Sequence, residues 1–179
     1  IRIEDYYVRA VRGGIGAAKT GGNYAASLLA GELAAKDGFD QVLWLDGREN
    51  KYVQEVGAMN MFFKFKDALV TPPLLGSILG GITRDSIIKL AERMGINVEE
   101  RRLTVQDVFD AAENGELEEA FGSGTAAVVS PVGRLAWNDK EITISGGEIG
   151  AYTQKFYDTL TGIQLGNVED PFGWVLKID

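Results

Sequence analysis

Lys19 is the residue with the most chemistry within reach. It stands in GGIGAAKTGG (13–22), between pairs of glycines, in a chain with no histidine and no cysteine. Those two absences remove zinc sites built from Cys and His, and the Ser-His and Cys-His nucleophilic pairs. Proton transfer is left to Lys, Tyr, Asp and Glu. Gly13, Lys19 and Thr20 also sit at the offsets of a phosphate-binding P-loop, and the apolar run VLWL ends in Asp46, where a magnesium-binding carboxylate would stand. Two features oppose a nucleotide site. Ala18 occupies the place of the second glycine, and Gly21-Gly22 disfavour the helix into which a P-loop lysine must lead. A dinucleotide fingerprint fits no better, because Lys19 holds its third glycine position.

An amine becomes a useful nucleophile or base when it is partly desolvated beside a carbonyl, and its best-known use is attachment to pyridoxal phosphate. Such a site also needs a carboxylate for the ring nitrogen, a hydroxyl near the phenolic oxygen, and amides or hydroxyls around the phosphate. Candidates exist for each. Glu55 lies in YVQEVGAMN, an extended stretch that otherwise reads as buried, where a carboxylate requires a partner. Tyr24 follows the glycines after Lys19. A helix start after Gly80-Gly81 offers the amides of Ile82 and Thr83, and GSGT (122–125) offers a glycine-rich turn with the hydroxyl of Thr125. Taken singly, each has a plainer role: a solvated loop lysine, an edge carboxylate, a packing tyrosine, a helix cap, a turn. Their coincidence in one chain carries the weight.

The elements that must position these residues follow from the pattern. The 179 residues are 45% hydrophobic and 25% charged with four prolines, the composition of a globular domain. A net charge of -8 opposes nucleic acid or an anionic membrane as the main partner, and no apolar run is long enough to span a bilayer. The lack of cysteine suits a cytoplasmic setting. Residues 5–11 read as a strand feeding the glycine turn. A helix capped by Asn23 runs to about Lys36, with Ala25, Ala26, Leu28, Leu29 and Leu33 as its apolar stripe. Residues 41–46 form a buried strand and 52–65 an extended segment. A helix runs from Ile82 or Thr83 to Gly95, burying Ile87, Ile88, Leu90, Ala91 and Met94. A short third helix is capped by Thr104 and stops by Gly115, and residues 118–145 are strand-rich with a hairpin around Asn138 and Asp139. A last helix covers roughly 149–162. No linker divides the chain, and no repeat appears.

The ordered blocks YVRAVRGGIGAAKTGGNYAASL, QVLWLDGRENKYVQEVGAMNMFF, TPPLLGSILGGITRDS, EAFGSGTAAVVSPV and GIQLGNVEDPFGW resemble the C-terminal half of the branched-chain amino acid aminotransferases, pyridoxal-phosphate enzymes of fold type IV. The resemblance runs over nearly the whole chain. It implies an α/β large domain with a mixed, barrel-like sheet wrapped by helices, spanning residues 1–179, without the N-terminal small domain. It further implies that Lys19 forms the Schiff base and shuttles the substrate proton, that Glu55 pairs with the pyridinium nitrogen, and that Tyr24 bonds the phenolic oxygen. Ile82, Thr83 and Thr125 would hold the phosphate, Leu79 would lie beside the ring, and the amides of Thr125 and Ala126 would meet the substrate carboxylate. The implied reaction is amino transfer between leucine, isoleucine or valine and 2-oxoglutarate, in a homodimer whose N-terminal domain completes the site. Related type IV enzymes, acting on D-amino acids or as a lyase on aminodeoxychorismate, share Lys19 and Glu55, and the nucleotide-binding module stays as a more distant rival. Two departures stand out: Gly80 replaces the proline usual in this family before the glycine of the phosphate helix, and AAVVSPV lacks the Cys-x-x-Cys of some animal members.

Overall fold

The computed structural model describes residues 1–178. Its frame is one ten-stranded mixed sheet in the order β10-β9-β1-β2-β3-β4-β5-β6, with β7 branching from β4 and carrying β8. The strands are β1 (Arg2–Glu4), β2 (Val42–Leu45), β3 (Val53–Val56), β4 (Met59–Phe65), β5 (Leu69–Thr71), β6 (Val98–Glu100), β7 (Leu117–Gly124), β8 (Val128–Pro131), β9 (Arg134–Trp137) and β10 (Lys140–Thr143). Four helices pack against them: α1 (Gly21–Lys36), α2 (Ile82–Arg93), α3 (Val105–Glu113) and α4 (Ala151–Gln164). The α/β class and the mixed, helix-covered sheet are as expected. Among the described residues no helix is long and apolar enough to cross a membrane.

Two crossover units set up the site. Strands β1 and β2 run parallel, joined through α1, and β5 and β6 run parallel, joined through α2. Parallel neighbours require such a crossover, whereas the antiparallel strands β3 and β4 between them need only the tight turn at Gly57, where φ is +56°. Each crossover helix is preceded by a long loop, residues 5–20 and 72–81. These are the loops that hold Lys19 and Leu79.

Strand β4 has a core on each side because helices cover both faces of the sheet. Met61, Phe63 and Phe65 point toward α3, and Phe62 stacks on Phe121 in the layer under α2 and α4. The expected cap of α3 is present as a reciprocal pair: Thr104 Oγ1 accepts from the Asp107 amide at 3.0 Å, and Asp107 accepts from the Thr104 amide at 2.8 Å. Glu119 of β7 is buried and caps α4, accepting from the amides of Tyr152 and Thr153 at 2.9 and 2.8 Å and from the Thr153 hydroxyl at 2.7 Å. That helix begins two residues later than the pattern suggests.

Four expectations are corrected. Residues 5–11 are irregular, because the Glu4 carboxylate accepts the amides of Tyr6 and Tyr7 and turns the chain out of β1. Helix α1 starts at Gly21, with Thr20 rather than Asn23 as its first flanking residue, so the two glycines do not delay the helix. Its buried face is Asn23, Ala30 and Ala34, while Leu28 and Leu29 are exposed at 71% and 51%. Small side chains let α1 lie close on Val42 and Trp44. Finally, Gly122, Ser123 and Gly124 belong to β7, and the turn is Thr125–Ala127. A Cβ on Gly122 would lie 2.9 Å from Met59 and Val56, so this glycine serves close packing between strands rather than a turn.

Candidate active site

Glu55 is the centre of the arrangement. It lies on β3 and is only 4% exposed, yet it is ionisable. Burial pushes its carboxyl up to about 7, against the Arg9 guanidinium beside it and the Leu79 backbone, which both pull it down. Arg9 forms an ion pair with Glu55 from the loop after β1. The same guanidinium donates to the carbonyl of Ser77 at 2.7 Å and more weakly to that of Gly16 at 3.5 Å. A single, nearly buried arginine thus joins the carboxylate to both crossover loops.

The two loops also touch through backbone. A Cβ on Gly16 would collide with the Ser77 carbonyl and the Ala10 side chain, so only glycine permits this approach. Asn23, buried on the first turn of α1, donates to the carbonyls of Ile15 and Ala18 at 2.9 and 2.8 Å. These bonds fix the turn leading into Lys19. From the other side of Glu55, Asn60 of β4 donates to its Oε1 at 3.3 Å and to the Leu79 carbonyl at 2.8 Å. Leu79 lies three residues before α2, whose flanking residue Gly81 provides no side-chain cap for the first-turn amides.

The expected residues therefore fall into two groups. Glu55 and Leu79 are joined directly through Asn60, and the chain from Leu79 leads straight into Ile82 and Thr83. Lys19, Tyr24, Thr125 and Ala126 lie on exposed backbone, on the loop, the start of α1 and the turn after β7. The structure gives their side chains no bond to Glu55. Thr125 is nevertheless carried to this region by β7, since Ser123 pairs with Asn60, which pairs with Glu55. Reading the sequence alone misses Arg9, Asn60 and Ser123, whose buried hydroxyl has no partner. Asn60 had a signal: it is the polar interruption of an apolar strand, five residues after Glu55 across a glycine turn.

The residues fit a pyridoxal phosphate in two respects. A carboxylate whose ordinary acidity burial weakens in spite of Arg9 gains from a protonated ring nitrogen, and an uncapped 12-residue helix offers free amides to a phosphate. A nucleotide site fits less well. Asp46 is consumed by its own loop: it accepts the amides of Arg48, Glu49, Lys51 and Tyr52 at 2.8–3.3 Å. Burial pushes its carboxyl up, but these amides together outweigh burial and hold it below its usual range. Among the described residues no cluster of acidic side chains is placed to hold a metal ion.

A lysine loop and an uncapped helix thus meet around one buried carboxylate. The family model for amino-transferase class IV matches residues 7–135, and the chain belongs to that family. It is 61% identical over 178 residues to a probable branched-chain-amino-acid aminotransferase of Staphylococcus epidermidis, covering 99% of this chain and 50% of that protein. It is 55% identical to branched-chain-amino-acid aminotransferase 2 of Bacillus subtilis, covering 99% and 49%. Among solved structures, the Escherichia coli branched-chain amino acid aminotransferase superposes with a TM-score of 0.83 at 35% identity, covering 98% of this chain and 56% of that one. The branched-chain amino acid aminotransferase of Thermobaculum terrenum, in its PLP-form, gives 0.78 at 30% identity, covering 93% and 51%. The chain spans about half the length of the curated relatives it matches.

Proposed function

We propose that this chain is the cofactor-binding domain of a pyridoxal-5'-phosphate-dependent branched-chain amino acid aminotransferase, exchanging amino groups between leucine, isoleucine or valine and 2-oxoglutarate in the cytoplasm. The observation that carries the reading is the buried Glu55, pinned by Arg9 and Asn60 between the loop of Lys19 and the uncapped start of α2. The names of its relatives support the substrate class.

Bound pyridoxal phosphate supplies the electron sink that lets an amino acid lose its Cα proton. Glu55, as a carboxylate, accepts the ring N–H and keeps that nitrogen charged. Lys19 holds the cofactor through its amine when no substrate is present, and its Nζ removes and returns the proton at the substrate Cα. Tyr24 would donate to the phenolic oxygen, and the amides of Ile82 and Thr83, with the hydroxyl of Thr125, would hold the phosphate. Leu79 would lie beside the ring. The amides of Thr125 and Ala126 would meet the substrate carboxylate. An N-terminal domain and a second copy of the enzyme are the partners that would cover the exposed apolar side chains of Ile15, Leu75 and Ile82 near this region.

The test is chemical. The purified protein is mixed with pyridoxal phosphate, followed by its visible absorption, reduced with borohydride and digested for mass spectrometry. Modification confined to Lys19 is expected. Scattered surface labelling, or labelling at another single lysine, rejects the assignment. A panel of amino donors then separates branched-chain substrates from D-amino acids, and the absence of any transfer to 2-oxoglutarate by the protein joined to its N-terminal domain would reject the reaction.

A further inference from the structure

Asn60 sits in β4 directly opposite Glu55 in β3 and opposite Ser123 in β7. Partners that face one another across strands share a face of the sheet, so three polar residues form a row through an otherwise apolar layer. All three are nearly inaccessible to water. Such a row costs stability unless its groups are bonded, and an apolar strand would be the default here.

The amide of Asn60 is used on both sides. Its Nδ2 donates to Glu55 Oε1 at 3.3 Å and to the Leu79 carbonyl at 2.8 Å. Its Oδ1 packs against Gly81, where any Cβ would collide with it. Gly81 is the residue from which α2 starts, and Leu79 stands two residues earlier. One short side chain therefore touches the carboxylate on one side and both ends of the Leu79–Gly81 stretch on the other. Asparagine suits this position because it combines donor and acceptor on a short reach, whereas aspartate would set a second carboxylate oxygen against Glu55.

We propose that Asn60 is a positioning residue that couples Glu55 to the first turn of α2, so that the groups gripping the ring nitrogen and the phosphate of the cofactor are set as one unit. The inference rests on the reading of Glu55 and α2 as the two cofactor anchors. It assigns Asn60 no contact with the reacting atoms.

The experiment compares the purified wild-type protein with Asn60→Asp and Asn60→Ala. Pyridoxal phosphate is titrated by its visible band, the pH dependence of that band is recorded, and inorganic phosphate is used as a competitor. Both variants should bind the cofactor about tenfold or more weakly, the scale set by losing buried hydrogen bonds to a charged group. Inorganic phosphate should also compete more weakly, although Asn60 is not one of the groups assigned to the phosphate. Asn60→Asp should in addition displace the pH profile of the band, because its carboxylate lies beside Glu55. A lower melting temperature with unchanged cofactor affinity and an unchanged pH profile would overturn the proposal, showing that Asn60 serves packing alone. Should Asn60→Ala fail to fold, the isosteric Asn60→Asp decides. A wild-type protein that gives no band overturns the cofactor reading itself and this inference with it, whereas a normal wild-type band with unaffected variants overturns only the coupling.

Discussion

Replacing Glu55 with glutamine isolates one titration in the core. Burial lifts the Glu55 carboxyl from its ordinary 4.5 to about 7, in spite of Arg9. The folded protein therefore keeps a proton that the unfolded chain has released. The stability which that proton brings is fully present below about pH 4.5 and is lost as the pH rises through about 7. At about 1.4 kcal/mol for each pH unit between the two values, the loss amounts to about 3 kcal/mol. Glu55→Gln is neutral throughout. Without cofactor, the stability of the wild type relative to this variant should thus fall by about 3 kcal/mol between about pH 4 and about pH 8. Taking the difference cancels the other carboxylates, which lie elsewhere and titrate in both proteins. Urea denaturation followed by tryptophan fluorescence measures it at each pH. Adding pyridoxal phosphate should shrink the loss, because a protonated ring nitrogen favours the carboxylate. If the two proteins follow parallel curves without cofactor, Glu55 is not desolvated in the folded chain and is not poised to partner the ring nitrogen.

Arg9→Gln removes the countercharge from Glu55 and two carbonyl bonds between the loops; its apo stability should fall by about 3–5 kcal/mol near neutral pH, as for other buried pairs left with one partner, and recover toward acid pH, as read by denaturation. Gly16→Ala should cost about 1–3 kcal/mol by overpacking the contact with Ser77, and because it displaces the turn before Lys19 it should also slow borohydride-trapped labelling of that lysine. Glu119→Ala leaves the first turn of α4 uncapped in a buried setting and should destabilise by about 2–4 kcal/mol in thermal melts, with cofactor affinity unchanged. Asp46→Asn should lower stability at neutral pH and remove part of the acid sensitivity, since the depressed Asp46 carboxyl stabilises the fold above its ordinary 3.8 and loses that contribution as the pH falls below it.

How much of this could be read beforehand depended on whether the signal was local. Helices α2 and α3 were legible because their apolar spacing and the Thr104–Asp107 box are contained in a dozen residues. Glu55 was legible as a carboxylate in a buried extended stretch. On α1, side-chain size does not track burial: its alanines meet the sheet while Leu28 and Leu29 face outward. Residues 5–11 have the composition of a strand, but a single carboxylate at Glu4 captures two of their amides. Arg9 carries no local signal, because its partners lie 46 and 68 residues away, at Glu55 and Ser77, and no spacing rule connects them. Its flanking glycines mark Lys19 in the sequence, but Gly21-Gly22 do not delay α1 and so do not by themselves oppose a P-loop. The nucleotide reading fails instead on Ala18 and on the self-contained loop of Asp46.

The site divides by exposure, and the division has a physical sense. Glu55 and Asn60 are buried on strands and Arg9 is nearly so, and the three are tied together, so the carboxylate proposed as partner for the ring nitrogen is fixed by the core of this chain. Pre-organisation of that kind matters most where a charge must be stabilised without rearrangement. Lys19, Tyr24, Thr125 and Ala126, the groups proposed to meet the reacting atoms and the substrate, stand on exposed loop, helix-start and turn positions. A lysine that must both hold a cofactor and move a substrate proton needs freedom at its end and a fixed base, and the Asn23 bonds to Ile15 and Ala18 supply the fixed base. Ile15, in the loop of Lys19, and Ile82, at the start of α2, are exposed too, so further polypeptide laid over them would exclude water from the lysine while leaving the buried carboxylate as it is. Cofactor anchoring by Glu55 should therefore depend on this chain's own core, and water exclusion at Lys19 on what covers it.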